Sequence, residues 1–199
     1  MDEIKAAGGD AIAVGGDVAA DDFPAKILDA TVKYAHYFPR PILSPFLLFP
    51  EPCLTLGLFR RYGKLNHIVN NGAFRRSFFH IFSRQWLPVT TAGFTYDRML
   101  HTMPDDTWDI IMKVHVRAPF RLIRAAAPLM RIKPEPGKPH ENRSIINVSS
   151  TSGLHGNVGQ ANYAAAKSAI IGFTKTIAKE WGVFGVRANT VAFGYILTR

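Results

Sequence analysis

The sequence has a single cysteine, Cys53, which excludes an internal disulfide framework and a metal site built from cysteines. Positions 1–5 are too polar for a signal peptide, and positions 197–199 form neither a peroxisomal nor a retention signal. One apolar run, 41–59, approaches the length of a membrane span, but it contains prolines and Glu51. We therefore expect no membrane span, no metal and a cytoplasmic location, with mitochondrial and peroxisomal locations left open.

Acidic residues are also scarce, since 15 Asp and Glu stand against 24 Lys and Arg, for a formal net charge of +9. Such an excess often accompanies nucleic-acid binding. Here much of it lies in two unusual segments, with a net +2 in 34–61 and +3 in 72–91. We therefore predict no nucleic-acid partner. A chain of 199 residues with 47% apolar and 20% charged residues predicts one soluble domain large enough for a core.

The most specific pattern joins three side chains that suit proton transfer. Positions 145–150 predict a short buried strand that ends in Ser150, and positions 159–167 predict the start of a helix. On that helix Tyr163 and Lys167 are four residues apart and therefore share one face. A nearby ammonium favours the phenolate and lowers the pKa of a tyrosine, while a serine hydroxyl can bind a carbonyl oxygen. Taken without the serine, a Tyr-x3-Lys pair would be explained as an amphipathic surface pair.

The spacing Ser-x12-Tyr-x3-Lys resembles the short-chain dehydrogenase/reductase family. Three sequence segments look most like the beta-ketoacyl-acyl-carrier-protein reductases of this family, and they also resemble hydroxyacyl-CoA dehydrogenase modules. They are Gly159–Lys167, Gly172–Thr174 and Ala178–Glu180. The resemblance implies a doubly wound α/β fold with a parallel sheet of the Rossmann type. It implies reversible reduction of a ketone, expected to be a 3-oxoacyl thioester, to a secondary alcohol with NADP or NAD. The residues that select between the two cofactors are not recognisable, although NADP is preferred. A homo-oligomer is also implied.

The resemblance assigns catalytic roles to four residues. Tyr163 is expected to act as the general acid, and Lys167 to lower its pKa and bind the nicotinamide ribose. Ser150 is expected to polarise the substrate carbonyl. His115 stands where many members have an asparagine that holds a water in the proton relay; it could serve through a ring nitrogen or be a core histidine. The residues expected to line the cofactor, besides Tyr163 and Lys167, are Asp17, Val18, Asn70, Ala92, Gly93, Ile196 and Thr198. The alternatives are an ordinary turn for Asp17 and an ordinary strand exit for Ile196 and Thr198.

Periodicity predicts the elements that would carry these residues. A Thr-x-x-Asp pattern at Thr102 predicts a capped helix start. Apolar residues at helical spacing form one stripe along 108–126 and another along 166–181. Each stripe could face the protein's own sheet or a partner subunit. The predicted strands are Asp10–Val14, Leu65–Asn70, Ser144–Val148 and Val186–Ala192, and the predicted helices include Ala25–Lys33 and Asn162–Trp181. Positions 133–142 are expected to form an exposed connection.

Two segments, 34–61 and 72–91, do not fit this pattern. The first has a proline density that no helix or central strand tolerates. The second interrupts the Asn-Asn-Ala-Gly motif of the resembled family, and deleting 72–91 would restore that motif. Long structureless loops are also uncommon within a compact domain. We interpret both as translated intron sequence or an equivalent gene-model artefact. The alternative is a pair of genuine loops.

The resemblance covers only the middle of a complete domain, so we interpret 1–199 as a single partial domain. The glycine-rich phosphate-binding turn, the first two strands and the C-terminal strand are not recognisable. The missing strands would belong at the centre of the sheet and would leave unpaired backbone on two buried edges. We therefore expect no measurable dehydrogenase activity from the chain as written. The alternative function is an inactive fragment or mis-spliced product that at most associates with full-length subunits.

Overall fold

The computed structural model describes residues 17, 20–37, 57–61, 64–71, 90–91, 94–139 and 141–195. Within these residues a single sheet contains five strands, in the spatial order β1-β2-β4-β5, with β3 beside the end of β2. The strands are β1 (Gly57–Arg61), β2 (Lys64–Asn71), β3 (Thr90–Thr91), β4 (Arg143–Ser150) and β5 (Val186–Phe193). The predicted strand Asp10–Val14 lies outside the described residues.

Strands β2, β4 and β5 form a parallel run. His67 in β2 lies opposite Ser144 in β4, and Ile145 in β4 lies opposite Ala188 in β5. These are the three strands predicted at Leu65–Asn70, Ser144–Val148 and Val186–Ala192, so their existence and order are confirmed. Parallel strands end at a common edge, and here the carboxyl ends of β2 and β4 bring Asn70 level with Asn147, three residues before Ser150.

The outer side of β2 is paired, which differs from the unpaired edge expected there. Strand β1 runs antiparallel to β2, with Leu58 opposite Ile68 and Arg61 opposite Lys64, and a register shift lies after Phe59. Strand β3 pairs in parallel with the end of β2, with Thr90 opposite Asn70. Backbone amides and carbonyls in a sheet require partners, and here the ends of the two unusual segments supply them.

Three long helices pack together on the sheet: α1 (Phe23–Tyr37), α3 (Ala118–Met130) and α5 (Ala161–Trp181). A shorter helix α2 (Asp105–Met112) runs into α3 through a π-helical turn, Lys113–Arg117, and α4 (Thr151–His155) follows β4 directly. Helix α1 contacts α3 and β1, while α5 contacts β4 and β5. The connection after α3 is exposed in its described part, as expected.

A continuous apolar core joins these helices to the sheet. Both predicted stripes contribute to it, so each faces the protein's own sheet; Trp108 is the exception and is 37% exposed. Complete burial of such side chains stabilises a fold by about 1.5–3 kcal/mol each. The core comprises Phe23, Ile27, Ile68, Ala118, Leu122, Ile123, Ala126, Met130, Ile145, Ile177, Trp181 and Val186.

Two local expectations are wrong. Helix α1 continues to Tyr37, because the prolines of the unusual segment begin only at Pro39. The capping pattern at Thr102 is not formed: its hydroxyl donates to the carbonyl of Met99 at 3.1 Å, within a 3₁₀ turn. Helix α2 instead begins after Pro104, whose fixed φ suits that position, and the Thr107 hydroxyl donates to the Pro104 carbonyl at 2.7 Å.

The pairing of β1 with β2 can be tested with prolines. Neighbouring residues in a strand direct their amides to opposite sides, so the double variant Leu58→Pro/Phe59→Pro removes at least one amide on the β2 side. We expect it to lower the free energy of unfolding by about 1–3 kcal/mol for each β2 group left unpaired. Leu58→Ala/Phe59→Ala is the matched control. Equal stability of the two variants in urea, with equal amide-exchange protection of β2, would show that β1 does not support the sheet.

Candidate active site

Ser150 lies where β4 ends and α4 begins. Its backbone is extended, with φ −147° and ψ 155°, and its hydroxyl oxygen accepts the amide of Ser152 at 3.2 Å. A serine suits this position because its side chain satisfies an amide that the first helical turn leaves without a partner. Ser150 is thereby fixed at the carboxyl edge of the sheet.

Helix α5 carries Tyr163 and Lys167 to the same edge. The Ser150 side chain lies close enough to the Tyr163 phenol to lower its pKa through hydrogen bonding. The Nζ atom of Lys167, one helical turn later, is 5.6 Å from the centre of the Tyr163 ring. The structure therefore brings together the three residues that the spacing predicted.

The position of α5 depends on Gly153, which sequence reasoning missed. A Cβ atom on Gly153 would lie 2.8 Å from the carbonyl carbon and Cβ of Lys167 and 2.9 Å from the amide nitrogen of Ser168. Beside this contact, the hydroxyl of Ser149 donates to the carbonyl of Lys167 at 2.7 Å. The only signal in the sequence was a glycine between the predicted strand end at Ser150 and the predicted helix start at Gly159, and a glycine can mark a close approach of two backbones.

Lys167 is buried along its whole length, with 1% of its surface exposed. Its ammonium donates to the carbonyl of Val148 at 3.0 Å. Burial lowers the pKa of Lys167 to about 7, because a charge is solvated less well inside the protein than in water. The amine can therefore exchange a proton near neutral pH.

The pKa of Tyr163 is raised, which corrects the expectation that Lys167 would lower it. Burial of the phenol is the largest cause, the hydrogen bond with Ser150 acts in the opposite direction, and the negative charge of Asp97 raises the pKa further. Burial disfavours the charged form of both groups, so it opposes the phenolate and also weakens the charge that was expected to stabilise it. In this arrangement Tyr163 is a proton donor at neutral pH.

His115 lies within the π-helical turn and is 2% exposed. Pro119 has no amide to bond the His115 carbonyl four residues earlier, which favours the wider turn. The Nε2 atom is 3.0 Å from the carbonyl oxygen of Phe94, so Nε2 carries the proton and donates it. The buried Nδ1 atom has no hydrogen-bond partner among the described residues.

The His115 ring also contacts Tyr163 directly. The two ring centres are 5.2 Å apart, with planes at 89° in an edge-to-face arrangement. Burial and then the charge of Lys167 lower the pKa of His115 to about 3, although the bond to Phe94 raises it. The imidazole is therefore neutral near pH 7, and Nδ1 offers an acceptor beside the phenol.

Two further polar residues at the start of α5, Gln160 and Asn162, were also missed. The Asn162 amide donates to the carbonyls of Tyr96 at 3.2 Å and Thr107 at 3.3 Å, and its oxygen accepts the amide of Tyr163 at 2.7 Å. The Gln160 amide donates to both carboxylate oxygens of Asp97, at 3.2 Å each. The sequence does not reveal their role, because their partners Tyr96, Asp97 and Thr107 are more than 50 positions distant.

The residues expected to line a cofactor are only partly described. Asn70 lies at the carboxyl end of β2, and Asp17 is exposed, with its carbonyl accepting the amide of Ala20 at 3.0 Å. The other five, Val18, Ala92, Gly93, Ile196 and Thr198, lie outside the described residues. Within the described part of the chain, no group of three His, Cys, Asp or Glu side chains could hold a metal ion, and no helix is long and apolar enough to cross a membrane.

Comparison with known proteins identifies the family of the chain. The model of the short chain dehydrogenase family matches residues 57–199, well over half of the chain. The chain belongs to the short-chain dehydrogenase family. A crystal structure of a short chain dehydrogenase from Mycobacterium avium is similar at a TM-score of 0.66 and 31% identity, covering 97% of this chain and 50% of that one. This likeness confirms the predicted α/β fold of the Rossmann type.

Two curated relatives illustrate the branch of the short-chain dehydrogenases to which the chain is similar. The 3-oxoacyl-[acyl-carrier-protein] reductase FabG of Thermotoga maritima is 33% identical over 189 residues, 92% of this chain and 65% of that protein. Human (3R)-3-hydroxyacyl-CoA dehydrogenase is 43% identical over 110 residues, 55% of this chain and 40% of that protein. The chain thus spans less than two thirds of the length of these relatives.

The close contact at Gly153 predicts that Gly153→Ala destabilises the short-chain dehydrogenase fold. The added methyl meets backbone atoms of α5, which cannot rotate away, and such overpacking costs about 1–3 kcal/mol. Gly172→Ala, on α5 with no atom within 4 Å of its Cβ position, is the matched control and should be neutral or stabilising. Chemical denaturation measures both. A Gly153→Ala variant as stable as the wild type would contradict the contact.

The buried amine of Lys167 predicts a pH-dependent stability. Its pKa is lowered to about 7 in the folded protein from 10.5, so the unfolded chain binds the proton more tightly. The free energy of unfolding of the wild type relative to Lys167→Met should therefore rise with pH between about 7 and 10.5 and be constant below that window. Urea unfolding at pH 6, 8 and 10 measures this difference. The exposed control Lys175→Met should show no such trend, and a flat difference for Lys167→Met would contradict the assigned burial.

Proposed function

We propose that this protein is an NAD(P)-dependent oxidoreductase that reduces a ketone to a secondary alcohol. The observation that supports the proposal is the convergence of Tyr163, Ser150 and Lys167 at the carboxyl edge of the parallel sheet. The serine hydroxyl lies beside the phenol, and the Nζ atom of the buried Lys167 is 5.6 Å from the centre of the Tyr163 ring. Open parallel sheets bind their ligands at this edge.

Each of the three residues has a role that follows from its environment. Tyr163, whose pKa is raised, is the general acid that donates a proton to the carbonyl oxygen during reduction. Ser150 holds and polarises that oxygen through its hydroxyl. Lys167, in its protonated form, stabilises the negative charge that develops on the phenol oxygen, and it can then return the proton because its pKa is about 7.

His115 is the fourth member of the proposed catalytic group. It stays neutral because its pKa is lowered to about 3, and its Nε2 is occupied by the Phe94 carbonyl. Nδ1 is therefore an acceptor in a buried position next to the Tyr163 ring. We assign to it the acceptance of a hydrogen bond from a water or hydroxyl that enters the site, and the orientation of the Tyr163 ring by edge contact.

The described residues fit the nicotinamide half of a dinucleotide. An unpartnered imidazole acceptor and a buried amine both approach Tyr163, at the edge where β2 and β4 end. When bound, the cofactor supplies the hydride. Tyr163 and Lys167 would hold the ribose of the cofactor. Asn70 lies at the carboxyl end of β2, where the resemblance implies a contact with the cofactor. The resemblance adds Asp17, Val18, Ala92, Gly93, Ile196 and Thr198, with NADP preferred over NAD.

The proposed substrate is a 3-oxoacyl thioester. Apolar side chains are exposed beside the catalytic edge, at Leu154 in α4 and Val158 after it, and at Phe193 at the end of β5 and Tyr195 after it. These two groups are neighbours, since the amide of Asn157 approaches the hydroxyl of Tyr195 at 3.5 Å. An acyl chain could cover this surface. The names of the two relatives, one for an acyl-carrier-protein substrate and one for an acyl-CoA, agree with a thioester of this kind.

The proposal is tested by mixing NADPH or NADH with a version preceded by the glycine-rich unit that the resemblance implies, with the chain as written measured beside it, and following the intrinsic nicotinamide fluorescence. An active site of the proposed kind changes this fluorescence, and a 3-oxoacyl thioester then makes it decay as the cofactor is oxidised. A chain that does neither is the inactive fragment named above as the alternative.

Tyr163→Phe isolates the general acid. Made in a version preceded by the glycine-rich unit that the resemblance implies, it should reduce turnover of a 3-oxoacyl thioester by about 10²–10⁴-fold. Cofactor binding, measured by fluorescence, should be nearly unchanged, because the ring keeps its packing against His115 and Lys167 would still hold the ribose. Turnover within a few-fold of the unmutated version would refute the assigned role.

A further inference from the structure

The side chain of Asn162 joins three parts of the structure at the start of α5. Its NH₂ group donates to the carbonyl of Tyr96 at 3.2 Å and to the carbonyl of Thr107, in α2, at 3.3 Å. Its oxygen accepts the backbone amide of Tyr163 at 2.7 Å. These partners fix the orientation of the side chain, because only the NH₂ group can donate to a carbonyl and only the oxygen can accept an N–H. Both donor hydrogens and the oxygen of Asn162 are thus engaged next to the proposed general acid.

Asn162 is completely buried, with 0% of its surface exposed. Nearby, the Gln160 amide also binds the segment before α2, through the carboxylate of Asp97, but that contact is exposed to water. Water can replace a hydrogen bond that is lost at the surface, whereas a buried group that loses its partner retains the cost of its desolvation. Of these two side chains, Asn162 is therefore the one whose contribution water cannot replace.

The segment that Asn162 holds also carries the hydrogen-bond partner of His115. The carbonyl oxygen of Phe94, two residues before Tyr96, lies 3.0 Å from Nε2 of His115. The rings of Phe94 and Tyr96 pack edge to face, with centres 5.2 Å apart and planes at 78°. Two residues span at most about 7 Å of extended chain, so fixing the Tyr96 carbonyl restricts the position of the Phe94 carbonyl. Asn162 is thus connected to His115 through a short stretch of backbone.

The tautomer of His115 decides what its ring offers beside Tyr163. The imidazole is neutral near pH 7, because burial lowers its pKa to about 3. A neutral ring carries one N–H, and the Phe94 carbonyl places it on Nε2. Nδ1, which has no hydrogen-bond partner among the described residues, is then an acceptor. Without the Phe94 carbonyl the proton could reside on either nitrogen, and a fraction of the molecules would lose this acceptor.

We infer that Asn162 is a positioning residue that sets the tautomer of His115. By holding the segment of Phe94 and Tyr96 against α5, it keeps the proton on Nε2. Nδ1 is thereby left to accept a hydrogen bond from a water or hydroxyl in the site. The inference rests on the proposed function for the use of that acceptor, while the tautomer itself is a property of the protein without ligands.

The test is a long-range proton–nitrogen NMR correlation of the histidine rings, which distinguishes a protonated from an unprotonated ring nitrogen and needs neither cofactor nor substrate. The chain has seven histidines, and the variant His115→Gln identifies the signals of His115. In the wild type at pH 7 we expect Nε2 to be protonated and Nδ1 not. In Asn162→Ala the ratio of the two tautomers should fall by about two- to tenfold, the factor that corresponds to one hydrogen bond.

Two controls separate this effect from a general loss of stability. Gln160→Ala removes the exposed hydrogen bonds to Asp97, where water can take their place, and should leave the His115 signals as in the wild type. Thr174→Val, further along α5, removes a buried hydroxyl that accepts the amide of Asn147 at 2.8 Å. It should lower the stability of the fold without changing the tautomer ratio.

The wild type gives an answer even if Asn162→Ala does not fold. The side-chain amide protons of Asn162 should exchange slowly with water, and rapid exchange, or a His115 proton on Nδ1, would overturn the inference. Asn162→Ser, which fills more of the space and keeps one donor, then replaces the alanine variant.

An unchanged tautomer ratio in the folded Asn162 variant, or an equal change in Gln160→Ala or Thr174→Val, would also overturn the inference. Failure of the proposed function is seen separately. If the ratio changes only in the Asn162 variant while the protein neither binds nicotinamide cofactors nor reduces thioesters, the inference stands and the function does not.

Discussion

The contacts around the backbone of Lys167 are the interaction on which the candidate site depends. The glycine at 153 lets α4 approach within contact of that backbone, and the hydroxyl of Ser149 binds its carbonyl. The amine of the same residue reaches back to the carbonyl of Val148. Strand β4, the turn of α4 and helix α5 thus meet at one residue, so the distances among Ser150, Tyr163 and Lys167 are set by backbone packing as well as by their own side chains.

Burial then determines the charge state of the site. Tyr163, Lys167 and His115 each lose water on folding, and in each case the pKa moves toward the neutral form. Neutral groups in a confined site can pass protons without a large cost of solvation. The carboxylate of Asp97 differs, since it is exposed to water and is bound by the side-chain amide of Gln160 before the start of α5. The site therefore combines a buried proton-transfer group with a charge at its edge.

The unusual segments contribute more to the sheet than their composition predicts. Their last residues form β1 and β3, which occupy the outer side of β2. Sequencing the mature transcript would decide whether the two segments are intron-derived sequence or genuine loops. The pairing satisfies backbone groups whatever the origin of the residues, because an antiparallel ladder requires extended backbone and accepts many side chains. The pairing of β1 and β3 with β2 could not be inferred from the sequence, because the parallel strands of the resembled fold give no reason to expect it.

The sequence by itself determined the family and the core of the site. The spacing of Ser150, Tyr163 and Lys167, with the surrounding words, was sufficient, because one helical turn and one strand end set their geometry locally. The strands at Leu65, Ser144 and Val186 were equally predictable from short buried apolar runs. Tertiary structure alone decided the close approach of α4 to α5 at Gly153 and the raised pKa of Tyr163. It also decided the hydrogen bonds from Gln160 to Asp97 and from Asn162 to Tyr96. Each depends on atoms from distant positions and on the loss of water between them, and neither spacing nor composition reports how close two such segments come or how much solvent remains.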